Sequence, residues 1–328
     1  MRFLIAGAGA IGGYLGARMA RAGEDVTLFA RGPHLRAMQE HGLRILSAEG
    51  DFEVRPRVIG ALEAAGPVDV LILGVKAHGL TSLAPQVKPL IGPQTTVVST
   101  QNGIPWWYFR LGAGEHTGWH LESVDPGGII GSSIPTQQVV GSIAYFATDI
   151  AEPGVIRHVE GNRLTLGEPD GTKSDRLKAI SQRLINAGFR APVTERIRTE
   201  IWVKILGNVA FNPISALTRA TLGGMVRDTG VSNVVREIMR EVETVAAKLG
   251  LTMPISIEQR IAGAGKVGEH KTSMLQDLEA GRPMELEAVV GAVLELGDGL
   301  SVAMPHTRTV YACTRLMDEL ARTPKETN

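Results

Sequence analysis

"RFLIAGAGAIGGYLGARMARAGEDVTLFAR", residues 2–31, decides the fold of this chain. Residues 3–6 read as a short apolar strand, Gly7, Gly9 and Gly12 give G-x-G-x-x-G, and an amphipathic stretch runs over 11–22. Gly23 stops that helix, and a second strand covers 26–29. Strand, glycine turn, helix and strand within about 30 residues is the setting in which this motif holds a dinucleotide. Gly7 permits the tight turn, Gly9 lets backbone approach a pyrophosphate, and Gly12 permits close packing of helix on strand. The turn and helix start, with Ala8, Ala10 and Ile11 between the glycines, then offer N–H groups and the positive end of the helix dipole to the phosphates. The stretch has a passing likeness to a secretion signal, but its glycines make a poor apolar core for one.

The end of the second strand decides between dinucleotides. An NAD site usually places Asp or Glu there to accept from the ribose hydroxyls. This chain has Ala30 and Arg31, while Glu24 and Asp25 precede the strand and lie at its wrong end. A guanidinium at Arg31 can grip a 2′-phosphate through two parallel hydrogen bonds, which favours NADPH over the plainer reading of a solvated loop cation.

Working outward, residues 69–74 (DVLILG) and 95–100 (TTVVST) read as further strands with a helix over 78–90 between them. Lys76 and Asn102 follow these two strands directly. Ligands of an open parallel sheet lie beyond the carboxyl ends of its strands, so both are candidate cofactor or substrate contacts, against the alternative of solvated loop residues. Over 139–167 three short strands (VVGSIAYFAT, GVIRHV, RLTLG) predict an antiparallel extension of the sheet. GEPDGTKSD at 167–175 is a polar, turn-rich boundary. Beyond it come helix-period patterns over 174–187, 195–217, 231–249, 256–266, 283–297 and 306–320, with Gly188, Gly250 and Gly297 at the expected stops. The expected fold is an α/β Rossmann-type domain over 1–170 that binds NADP, then an all-α domain over 171–328, with substrate and catalysis where the two meet.

"KILGNVAFN", residues 204–212, places Lys204, Asn208 and Asn212 every fourth residue, so one helix face stacks an ammonium and two carboxamides. The apolar neighbours Ile201, Trp202, Val203, Ile205, Leu206, Val209, Ala210 and Phe211 leave little of that helix for water. One wall of an active site explains the stripe better than a solvated face does.

Composition sets the outer limits. The 328 residues are 44% hydrophobic and 21% charged, with 34 basic and 34 acidic side chains. Zero formal charge speaks against nucleic acid or an anionic membrane surface as partner. A lone cysteine, Cys313, allows no intrachain disulfide and no cysteine metal site, and the eight histidines show no ligand spacing, so no metal is expected. No apolar stretch reaches the ~20 residues of a membrane span. A cytoplasmic enzyme is the expectation.

These residues also carry a family resemblance over nearly the whole length. GAGAIG at 7–12, Lys76 in "GVKA", "QNG" at 101–103, "PGVIRH" at 153–158, "EIWVKILGNVAFNP" at 200–213 and "TSMLQDLEAGRPMELEAVVG" at 272–291 resemble the ketopantoate reductase (2-dehydropantoate 2-reductase) family. The resemblance implies that Lys204 protonates a carbonyl oxygen while NADPH gives hydride to its carbon. It implies that Asn208 and Asn212 bind substrate and order the lysine, that Ser273 holds the substrate carboxylate, and that Glu285 contacts the hydroxyl side. By the same likeness Asn102 lies near nicotinamide and substrate, Lys76 and Arg31 belong to the cofactor, and the chain is a homodimer acting on a small 2-oxo acid. Hydride addition builds negative charge on oxygen, so a cation in reach lowers the barrier and can supply the proton. Burial would lower the amine's pKa and Glu285 would raise it, and the sequence leaves that balance open.

Two departures bear on the substrate. After "QNG", where the family usually has small residues, Trp106, Trp107, Tyr108, Phe109 and Trp119 crowd together. They read either as a packing patch or dimer contact, or as an aromatic-lined pocket for a bulkier 2-oxo acid. His270 stands where the family commonly has asparagine, three residues before Ser273, and is a candidate substrate contact. The other readings are a paralogue for another 2-oxo acid and an NADPH-binding sensor without turnover.

Overall fold

A computed structural model describes residues 1–322. Contacts divide the chain into two compact units. The first comprises Met1–Gln101, Pro105–His120 and Asp125–Ile197; the second comprises Asn102–Ile104, Leu121–Val124 and the chain from Arg198 onward.

The first unit begins as the glycine motif dictates: β1 (Arg2–Ala6), α1 (Ala10–Arg21) and β2 (Asp25–Phe29). There follow α2 (Gly32–His41), β3 (Leu43–Leu46), β4 (Phe52–Val54), β5 (Arg57–Ile59), β6 (Val70–Leu73), α3 (Ala77–Val87), β7 (Thr96–Ser99) and α4 (Ile129–Ser133). The long strands β8 (Val139–Glu152) and β9 (Val155–Gly167) and the helix α5 (Asp175–Asn186) complete it. Among the described residues the strands form one sheet of nine, in the order β4-β3-β9-β8-β7-β6-β1-β2-β5. β1, β2, β5, β6 and β7 run parallel, and β8 joins β7 in the same sense. All four residues of β6 and of β7 are buried, as strands covered on both faces must be.

The antiparallel extension is present but differs in form from three short strands. GVIRHV and RLTLG are one strand, β9, paired antiparallel with β8 across register shifts beside Tyr145 and Ala147. Those bulges absorb the irregularity near Gly161 that reads in sequence as a break. The first unit also takes in α5, which buries Leu177, Ile180 and Leu184 and packs against β9 and α1.

The second unit is helical. α6 (Ile197–Thr218) begins at its border, followed by α7 (Leu222–Arg227), α8 (Thr229–Lys248), α9 (Ile257–Val267) and α10 (Ser273–Glu279). A π-helical turn, Glu287–Gly291, leads into α11 (Ala292–Gly299), and α12 is Pro305–Arg322. α8 buries one face, Val235, Ile238, Met239, Val242, Val245 and Ala246. The helix expected over 283–297 starts later, after Glu285, and its first turn is wide rather than α-helical. Gly297 is not a stop: it lies inside α11, where a β-carbon would meet the Met304 sulfur. Gly188 and Gly250 do follow α5 and α8, with φ of 87° and 75°. Among the described residues no helix is long and apolar enough to cross a membrane.

Candidate active site

α6 is apolar nearly all round: Ile201, Trp202, Ile205, Leu206, Val209, Ala210 and Phe211 are buried. Such a helix needs partners on every side, and the polar stripe finds its own. Lys204 Nζ donates to Asn102 Oδ1 at 2.7 Å, and Asn102 Nδ2 donates to Glu285 Oε2 at 3.0 Å. One carboxamide therefore bridges ammonium and carboxylate, using its acceptor for one and its donor for the other.

Backbone geometry sets this bridge. Residues 102–104 belong to the second unit and are tied to the π turn by Ile104 N, which donates to Ala288 O at 3.0 Å. Gly103 allows the approach: it has φ of 89°, and a side chain there would strike the Ala288 carbonyl. Glu285 O accepts from Val289 N at 3.2 Å, so the glutamate stands at the start of the same turn. Asn102 and Glu285 are thus carried on two segments fastened to each other.

The balance left open by the sequence goes to burial, which pushes the Lys204 ammonium down to about 8; Glu285 opposes that fall, and the Arg260 guanidinium adds to it. Proton donation near neutral pH is within reach of such an amine.

A small pocket beside the bridge is lined by Asn102, Asn212, Ser273, Met274, Asp277, Glu285 and Val289. Four sequence-expected residues meet there. Ser273 opens α10, next to Thr272, whose hydroxyl caps the helix by accepting from Leu275 N. Asn208 lies one turn beyond Lys204, partly buried, and is not part of that lining. His270 is also outside it, and its backbone carbonyl accepts from Leu222 N at 3.0 Å. Sequence reasoning passed over Asp277, a buried carboxylate paired with Arg282 at 3.2 Å. Its spacing of four from Ser273 on α10 was the available signal.

In the first unit the glycine turn has the form the motif requires. Gly7 has φ of 107°, and Gly7 N and Ala8 N donate to Phe29 O at 3.2 and 2.8 Å. A β-carbon at Gly12 would collide with the Gly7 carbonyl, whereas one at Gly9 would meet nothing within 4 Å. The open side at Gly9, ahead of Ala10 and Ile11 in the first turn of α1, is space a pyrophosphate can use. Arg31 ends the strand region before α2, with Nη2 donating to Gln86 Oε1 at 3.0 Å and its guanidinium 5.2 Å from the Phe29 ring centre. Lys76 precedes α3, in the loop after β6.

The aromatic segment is packing. Trp106, Trp107, Tyr108 and Phe109 are all buried in the first unit, and none lines the pocket. Trp107 Nε1 donates to Ser99 Oγ at 2.8 Å, and its ring lies where a side chain at Gly141 would be. Trp119 stacks obliquely with His116 and Phe109.

Comparison with known proteins places these features. The family model described as ketopantoate reductase PanE/ApbA matches residues 3–171, and its C-terminal counterpart matches 196–318. A Mesorhizobium japonicum protein named 2-dehydropantoate 2-reductase is 48% identical over 96% of this chain and 97% of its own length. A crystal structure of a Ralstonia solanacearum protein, 41% identical, superposes with a TM-score of 0.93 over 98% of both chains. That of 2-dehydropantoate 2-reductase from Methylococcus capsulatus, 30% identical, gives 0.85 over the whole of both chains. With both halves matched and close relatives along its full length, the chain belongs to the ketopantoate reductase family of oxidoreductases.

Proposed function

We propose that this chain reduces a 2-oxo acid to a 2-hydroxy acid with NADPH, the reaction being 2-dehydropantoate (ketopantoate) to (R)-pantoate, in the route to pantothenate and coenzyme A. The observation that carries the reading is the bridge from Lys204 through Asn102 to Glu285 beside a small polar pocket. Lys204 is the general acid: it points its ammonium at the ketone oxygen and gives up a proton as negative charge builds there. Asn102 holds the amine in place, and Glu285 fixes Asn102 while facing the pocket. Ser273 holds the substrate carboxylate, Asn212 adds a hydrogen bond to the substrate, and Asn208 supports the lysine's face of α6. Gly7, Ala8, Gly9, Ala10, Ile11 and Gly12 hold the cofactor's phosphates, Arg31 its 2′-phosphate, and Lys76 its nicotinamide side. When bound, the cofactor supplies the hydride. The first unit serves the cofactor, the second the substrate, and the working form is a homodimer.

Packing of the aromatic segment away from the pocket removes the reason for a bulkier substrate. The test is kcat/KM for ketopantoate, phenylpyruvate and benzoylformate, each with NADPH and NADH. Ketopantoate with NADPH should lead the panel. Preference for an aromatic acid would shift the reading to a paralogue, and tight NADPH binding without any turnover would make the chain a sensor.

A further inference from the structure

Arg31 is a long, exposed side chain between β2 and α2, yet two groups hold its guanidinium. The guanidinium carbon lies 5.2 Å from the Phe29 ring centre, and Nη2 donates to Gln86 Oε1 at 3.0 Å. Gln86 is itself fixed, because its Nε2 donates to Ser82 O at 2.6 Å, one turn earlier on α3. A carboxamide whose nitrogen is committed to a carbonyl turns its oxygen to the guanidinium, so the two partners together set its orientation. The link joins the segments that follow β2 and β6, the two strands that flank β1 in the sheet. Core packing does not need this link: Gln86 is exposed, and α3 is buried through Leu80, Leu83, Ala84 and Val87.

We propose that Gln86 is a positioning residue that strengthens the preference for NADPH over NADH, an inference that rests on Arg31 holding the 2′-phosphate. A free arginine gives up rotamer freedom when it grips a ligand, and a partner that already holds the guanidinium removes part of that cost. The partner must do so without neutralising the charge. Glutamine meets this condition: its oxygen takes one of the five N–H donors and leaves the positive charge whole for the phosphate. A carboxylate in the same place would pair with Arg31 and repel the phosphate. Gln86 therefore acts on the one group that distinguishes the two cofactors, through Arg31 and without touching either cofactor.

The experiment measures the Kd of NADPH and of NADH by calorimetry for the wild type, Gln86→Ala, Gln86→Glu, Arg31→Ala and the double variant Arg31→Ala/Gln86→Ala. Gln86→Ala should lower the preference for NADPH about 3- to 10-fold, the modest scale of an exposed charge-assisted hydrogen bond, with NADH bound within about twofold of wild type. Gln86→Glu should lower it further, by about 10²-fold, because the partner then competes with the phosphate. Once Arg31 is gone, removing Gln86 as well should change neither Kd, since the two act as one unit. The assignment is overturned if Gln86→Ala weakens both cofactors alike, leaves the preference unchanged, or costs as much without Arg31 as with it. An Arg31→Ala variant that keeps the wild-type preference defeats the phosphate reading itself, and this assignment with it.

Discussion

In the proposed function Lys204 is the residue on which the chemistry turns. An ordinary lysine stays protonated to about 10.5, but burial brings this one to about 8. A general acid works only while it holds its proton, so kcat/KM should be level below that value and fall as pH rises through about 8. A profile flat to pH 10 would show that the amine is not the titrating donor. On the same proposal Asn102 governs that step from outside the reacting atoms, through its bonds to Lys204 and Glu285. Asn102→Ala takes the acceptor from the ammonium and the donor from Glu285, and should lower kcat by about 10-fold or more with NADPH binding unchanged. The sequence reveals Lys204, Asn208 and Asn212 because one helix carries them at a fixed period. It hides the partnership of Asn102 with Glu285, because that joins segments far apart in the chain.

At the scale of elements, the strand–turn–helix–strand start was legible because each part carries its own physical mark: buried strands, turn glycines, an amphipathic helix. The strands β3, β4 and β5 escaped notice, being three or four residues long and mixed in polarity. The wide turn before α11 escaped as well, since no periodicity announces one inserted residue. That turn has a functional consequence through Gly103. Gly103→Ala forces a side chain into the Ala288 carbonyl at a φ of 89°, and should destabilise the fold by roughly 2 kcal/mol or more and lower kcat. Denaturant melts and kinetics on the one variant check both; a stable, fully active Gly103→Ala would separate this contact from the site. Trp107→Ala tests the aromatic segment. Deleting a buried indole that bonds Ser99 should cost about 3–5 kcal/mol, whereas a pocket wall would change substrate preference with little loss of stability.

For the whole molecule, the proposed function has the two units divide the labour, and the variants should divide likewise. Arg31→Ala in the first unit should weaken NADPH binding by about 10-fold or more while NADH is bound as before, since only NADPH carries the phosphate. Equal weakening of both would deny Arg31 that contact. The architecture of an α/β sheet domain followed by helices was legible from the order of patterns, but the grouping of α5 with the sheet was not. Its amphipathic face fits helix or sheet as neighbour, and only packing against β9 and α1 chooses. Lys204→Ala offers the most direct trial of the account, measured as kcat on ketopantoate with saturating NADPH beside the Kd for NADPH. The account predicts a fall in kcat of at least ~10²-fold with Kd nearly unchanged. A variant that turns over at the wild-type rate would contradict it.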